Sequence, residues 1–300
     1  MRQTALRITA IVWAVVLGGG GAVAQDTAAP AEQTPTGAQS MPAPGALAAH
    51  MSDPVKELTA DHAKFEILKG PFASGPEVTA ACLSCHTEAS NQVMHSVHWK
   101  WEYDNPATGQ TLGKSKGLNA FCGNVASNEV RCTSCHTGYD WVDVRQPMPD
   151  DPTKVDCLVC HDTSGQYAKQ DNTAGNPPLA PVDPKAKTIT GADAWAVDLA
   201  KAALSVGPPS RETCGNCHFY GGGGDNVKHG DLSSALFDPS RAVDVHMSKD
   251  GANFTCEACH VSDKHVPAGS RYNTDVALPD DAMHKPAAAR DVAACTSCHT

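Results

Sequence analysis

The sequence predicts a mainly α-helical chain with extensive irregular structure and little β, folded around a core that its own side chains are too poor to fill. Three observations predict it. The string Cys-x-x-Cys-His occurs six times, at Cys82-Cys85-His86, Cys132-Cys135-His136, Cys157-Cys160-His161, Cys214-Cys217-His218, Cys256-Cys259-His260 and Cys295-Cys298-His299. Aromatic residues make up 5% of the chain, against 25 glycines and 21 prolines in 300 residues, which leaves little large apolar surface for an ordinary core of this length. Helical periodicity is confined to three short stretches.

Each Cys-x-x-Cys-His is the attachment signature of a c-type haem. Two thiols three residues apart bond the two vinyl groups of one porphyrin, and the adjacent histidine is held against the iron as its proximal ligand. Zinc ribbons and disulfide frameworks also use cysteine pairs, but neither calls for a histidine directly after all six. The expected cofactor is therefore haem c, six groups covalently attached, with His86, His136, His161, His218, His260 and His299 as iron ligands. His50, His62, His95, His98, His229, His246, His265 and His284 lie outside the motifs. His62, His95, His98, His229, His246, His265 and His284 are the candidates for second axial ligands, which favour low-spin electron-transfer centres. The predicted fold is thus a multihaem cytochrome c fold wrapped around a packed haem array.

From the N-terminus, residues 1–24 read as a secretory signal. Arg2 and Arg7 form the charged start, Ile8 to Leu17 the apolar stretch, and Ala22-Val23-Ala24 the cleavage site before Gln25. An uncleaved membrane anchor is the competing reading. Haem attachment of this kind takes place outside the bacterial cytoplasm, so the expected location is the periplasm. Residues 25–49 are Ala, Pro, Gln and Thr with almost no charge or large apolar side chains, and read as a disordered linker. Residues 50–300 form one multihaem domain.

Within that domain, Asp53-Pro54 resembles a helix N-cap followed by Pro at N1, with Val55, Leu58, His62 and Phe65 on one face. Asn91 to Tyr103 places Met94, Val97, His98 and Trp101 along one side, with His95 close by. Val197 to Ser205 is the third helical stretch, ended by Gly207-Pro208-Pro209. The motif starts are spaced too unevenly for a tandem repeat. The shortest interval, 25 residues from Cys132 to Cys157, sets the second and third haems in neighbouring positions.

Formal charge is −10 for the full sequence, and loss of residues 1–24 removes two positive charges more. Nucleic acid is excluded as a partner on this balance, and a basic redox protein is the natural one. Anionic substrates need a local positive pocket. Two places are built for chemistry. Cys122, the thirteenth cysteine, belongs to no motif; it is an unpaired thiol, an intermolecular disulfide partner, a reactive residue or a small buried side chain. Gly221 to Gly224 follow the fourth motif and lead into Asp225-Asn226-Val227-Lys228-His229. Four glycines let backbone pass close to a porphyrin and carry Asp225 and Lys228 toward it, or simply form a loop that leaves both in solvent.

The chain resembles the octahaem tetrathionate reductase family of periplasmic cytochromes. The resemblance runs through His86-Thr87-Glu88-Ala89-Ser90, Val93 to Tyr103, Asn119 to Cys122, Val155 to Asp162 and Cys217 to Asp231, covering most of residues 80 to 275. It implies that the haem at Cys132, Cys135 and His136 is catalytic, with Lys228 in place of a distal histidine and with Asn119, Cys122 and Asp225 in its pocket. The other haems are implied to be bis-histidine relays, in a fold similar to multihaem nitrite reductases and hydroxylamine oxidoreductases. The family carries eight haems where this sequence carries six, so a chain cut short at its C-terminus is expected. The implied activity is a periplasmic reductase passing electrons to a small sulfur or nitrogen oxyanion such as tetrathionate or nitrite, or to hydroxylamine. Its implied donor is a cytochrome or a quinol-oxidising membrane protein. The alternative is a non-catalytic multihaem electron-transfer protein.

Overall fold

A computed structural model describes residues 60–105, 108–113, 129–143, 146–219, 224–226, 230–260 and 262–267. The boundaries drawn at residues 24 and 49 lie outside them, as do the sixth motif, His50 and His284.

Short helices joined by long irregular segments make up the fold. They are α1 (Gly75–Leu83), α2 (Ala89–Met94), α3 (Val97–Lys100), α4 (Glu129–Thr133), α5 (Leu158–His161), α6 (Leu199–Leu204) and α7 (Arg211–His218). The described strands form two small antiparallel hairpins, β1 (Tyr103–Asn105) with β2 (Gln110–Leu112) and β3 (Ser262–Asp263) with β4 (Val266–Pro267). No helix among the described residues is long and apolar enough to cross a membrane.

Capping explains why such short helices hold. Ser74 accepts from the Glu77 amide at the start of α1, which carries Pro in its first turn. Asp198 accepts from Lys201 N at α6, and Ser210 and Thr213 form a reciprocal capping box at α7. The helix expected from Asp53 through Phe65 is not what the described part of that stretch forms. His62–Lys64 and Glu66–Leu68 are separate 3-10 turns, interrupted at Phe65 where the backbone is extended (φ −85°, ψ 117°). Asp61 caps the first turn by accepting from Ala63 N, which starts a new element instead of continuing an old one. The helix expected over Asn91 to Tyr103 is likewise two. It breaks at Ser96, which is extended (ψ 162°), and ends at Trp101 in the left-handed region (φ 52°), so Tyr103 begins β1. The third helix forms, shortened to Leu199–Leu204 by the Asp198 cap.

The apolar core is small. Leu68, Val78, Leu158, Val159, Tyr167, Val197, Leu199, Ala202 and Ala203 pack where α1, α5 and α6 meet, with Phe72 and Val206 against them. Alanine and valine supply much of it, and buried polar side chains such as Thr79, Thr133, Ser134, Asp156 and Lys169 are interleaved with it. Arg211 at the start of α7 is buried and gives its guanidinium to the carbonyls of Met247 and Phe254 and to Asn253 Oδ1, which fastens the fourth motif's helix to the segment before the fifth motif.

Candidate haem-binding sites

Each described motif is wound into a helical turn, which brings its thiols and imidazole to one side. The amide of His86 donates to Cys82 O at 2.9 Å, that of His161 to Cys157 O at 3.1 Å and that of His260 to Cys256 O at 2.9 Å. The second motif occupies the end of α4, with His136 N on Thr133 O at 2.9 Å, and the fourth lies within α7.

Whether these residues fit a haem is tested by the imidazoles. Two imidazoles bonded through Nε2 to opposite faces of one iron, each at about 2 Å, have ring centroids about 6.3 Å apart. His62 and His86 stand 6.2 Å apart, His98 and His218 6.2 Å, and His161 and His265 6.3 Å. In the last two pairs the other ring nitrogen is held as metal-binding histidines hold it. His161 Nδ1 bonds to Gly207 O at 2.9 Å, His218 Nδ1 to Gly230 O at 2.6 Å and His265 Nδ1 to Gln92 Oε1 at 2.8 Å, so that Nε2 is the nitrogen each would offer an iron. Cys85 of the first motif and Cys160 of the third are exposed. These residues fit haem c at the first, third and fourth motifs. The surrounding protein pushes the pKa of His98 down to about 4, with His218 and His260 adding to it, so the ring is neutral as ligation requires.

The motifs also adjoin one another. The thiols of Cys82 and Cys157 shift each other's pKa, as do those of Cys214 and Cys256, so the first motif lies beside the third and the fourth beside the fifth. An antiparallel bridge between Gly138 and Val155 joins the second motif to the third, with Asp156 N on Thr137 O and Tyr139 N on Lys154 O, both at 2.9 Å. This is the neighbourhood the 25-residue interval implied.

His136 differs from the others. It is 1% exposed, its Nε2 lies 2.8 Å from Trp99 O, and the rings of Trp99, Trp141 and Trp101 surround it at 4.8, 5.0 and 5.6 Å. Burial pulls its pKa down to about 3. No histidine stands opposite it among the described residues at the separation the three pairs share. To take an iron through Nε2, His136 has to exchange the Trp99 carbonyl for it. An open cavity of about 300 Å³ is lined by Trp99 together with Met94, Lys100, Glu102 and Met148 among others.

Beneath His136 is a buried charge network. Lys169 and Asp156 pair at 3.1 Å with both side chains 0% exposed. Lys169 Nζ also donates to His136 O and sits 3.4 Å from Gly138 O. Asp156 accepts from Tyr139 OH at 2.8 Å, Tyr167 OH at 2.7 Å and Val159 N at 3.1 Å. Burial and the Asp156 charge drive both phenols far above their ordinary range, so they stay neutral donors.

Of the four catalytic candidates only Asp225 is described. It is exposed, and its carboxylate accepts from Ser234 N at 2.7 Å, Ser234 Oγ at 3.0 Å and Ser233 Oγ at 3.3 Å. These bonds tie Asp225 to the start of the turn at Ser234–Phe237. Asn119, Cys122, Lys228 and His229 lie outside the described residues. His95 turns its Nδ1 to Asn91 O at 2.7 Å on its own helix, and His246 stacks on Phe254 at 6.0 Å. Sequence reasoning missed the Trp141 side of the cage, Gln92 behind His265, and the Asp156–Lys169 pair. Asp156 stands inside a string already singled out, directly before Cys157, but nothing in the string names its partner.

No protein-family model matches the chain. In structure the chain is similar to an octahaem cytochrome c from Shewanella oneidensis, with 44% identity and a TM-score of 0.57. That match covers 70% of this chain and 43% of the Shewanella protein, so the chain spans less than half of that relative's length. A protein of Archaeoglobus fulgidus described only as uncharacterised is 23% identical over 250 residues, 68% of this chain and 79% of that protein.

Proposed function

The chain is an octahaem cytochrome c homologue with a multihaem cytochrome c fold, and from that premise we propose that it is a periplasmic reductase. In this reading electrons from a donor cytochrome or a quinol-oxidising membrane protein pass along bis-histidine relays to the second motif. There a small sulfur or nitrogen oxyanion, or hydroxylamine, is reduced. The chain binds six haems c, one at each motif, and residues 1–24 export it. For tetrathionate the balance is simple: two electrons enter, the central sulfur–sulfur bond breaks, and two thiosulfates leave.

The observation that carries this reading is the contrast among motif histidines. Three face a second imidazole at 6.2 to 6.3 Å, whereas His136 faces three tryptophans and no described histidine. Haem c held at these motifs would supply one-electron chemistry, and at His136 no described histidine would compete with substrate. Lys228 contributes a positive charge and a hydrogen bond to the oxyanion. Cys122 supplies a thiol for exchange with a sulfur substrate. Asp225 orients Lys228 or delivers protons. The test is turnover of holoprotein with a reduced dye as donor and tetrathionate, nitrite or hydroxylamine as acceptor. Loss of turnover in Lys228→Ala with the haem content kept supports the assignment; unchanged turnover removes it. Wild-type holoprotein that takes electrons and passes them to none of these acceptors is instead an electron carrier.

A further inference from the structure

We propose that the buried Lys169–Asp156 ion pair is an electrostatic bias between the second and third motifs, which raises the reduction potential of the centre at His136 relative to that at His161. The inference rests on haem c being bound at both motifs and deepens the reading of the second as the electron terminus.

The pair is oriented. Its positive end donates to the carbonyl of His136 itself, and its negative end belongs to the residue before Cys157 and accepts from Val159 N inside the third motif's own turn. Both side chains are fully buried, so solvent screens neither. Tyr139 and Tyr167 fix the carboxylate from two sides, and the Tyr139 ring lies under the ammonium at 5.8 Å. A buried ion pair contributes little net stability over apolar side chains of similar volume, so stability alone gives no reason for it here. Placement does give one. A fixed positive charge favours the reduced state of a nearby iron and a fixed negative charge the oxidised state, and surroundings of this kind tune haem potentials. Two opposite charges 3.1 Å apart, with the nearer on the order of 10 Å from each centre at an effective dielectric of about 20, partly cancel and bias the two centres by about fourfold.

The experiment is a spectropotentiometric titration of holoprotein in which the two centres are identified by their loss in Cys132→Ala and Cys157→Ala. Lys169→Met combined with Asp156→Asn removes both charges and keeps an acceptor for the tyrosines. The partition of one electron between the two centres then shifts toward the third by about fourfold, about 35 mV for a one-electron couple. Lys169→Arg, which keeps the charge, leaves the partition within about twofold. Asp156→Asn alone reads the negative end: the third centre's potential rises more than the second's. A double variant with its full haem content and an unchanged partition overturns the proposal. Should that variant fail to accumulate, an Asp156→Asn protein whose third centre does not rise overturns it equally. A second centre that binds no oxyanion counts against the reductase reading alone and leaves this comparison of potentials intact.

Discussion

Replacing His265 with Ala isolates the pairing geometry. The His161 and His265 centroids stand 6.3 Å apart, which matches about 2 Å from iron to each Nε2 plus about 1.1 Å from each nitrogen to its ring centre, counted on both sides. An alanine side chain ends several ångströms short of that iron. His265→Ala is therefore expected to turn one low-spin haem, and one alone, into a high-spin centre that binds cyanide, with the His62 and His98 pairs undisturbed. His95→Ala is the control, because His95 bonds to Asn91 O and faces no motif histidine among its contacts. The assay is magnetic circular dichroism of oxidised holoprotein, with the low-spin intensity integrated and cyanide titrated into each variant. A full low-spin signal in His265→Ala, or an equal loss in His95→Ala, refutes the reasoning.

Three further outcomes follow from contacts already described. Asp156→Ala strands buried Lys169 and the donors Tyr139, Tyr167 and Val159 N; breaking the pair alone costs about 3–5 kcal/mol, so the urea midpoint of holoprotein falls sharply, and an unchanged midpoint contradicts the network. Gly75→Ala drives a methyl into the Tyr139 ring and costs about 1–3 kcal/mol; thermal unfolding at the wild-type temperature speaks against that packing. Gln92→Leu removes the acceptor that orients His265 and weakens that ligand, to be read as a shifted low-spin g-tensor for one haem, with no shift contradicting the contact.

What could be read from the sequence follows from which signals are local. A Cys-x-x-Cys-His is complete within five residues, so the motifs declare their chemistry without tertiary information. The poverty of large side chains declares the weak apolar core, and the core of α1, α5 and α6 is indeed largely Ala, Val and Leu. His62 and His98 were candidates because they share faces with apolar neighbours, and both stand opposite motif histidines although neither lies on the long helix expected for it. The breaks at Phe65 and Ser96 escaped because caps inside a periodic stretch look like ordinary helix residues. His265 offered no periodicity, since it sits on the β3–β4 turn and is aimed by Gln92 from 173 residues away. The Lys169–Asp156 pair was unreadable for the same reason: a lysine and an aspartate thirteen residues apart look like two solvated charges until the fold closes over them.

The central claim is that one iron differs from a set of bis-histidine relays. Electron paramagnetic resonance of the oxidised holoprotein, with and without nitrite, tests it most directly. The account predicts one signal distinct from the bis-histidine set, lost in Lys228→Ala and altered by nitrite. A spectrum in which every haem is bis-histidine and none responds contradicts it and makes the chain a wire for a partner enzyme.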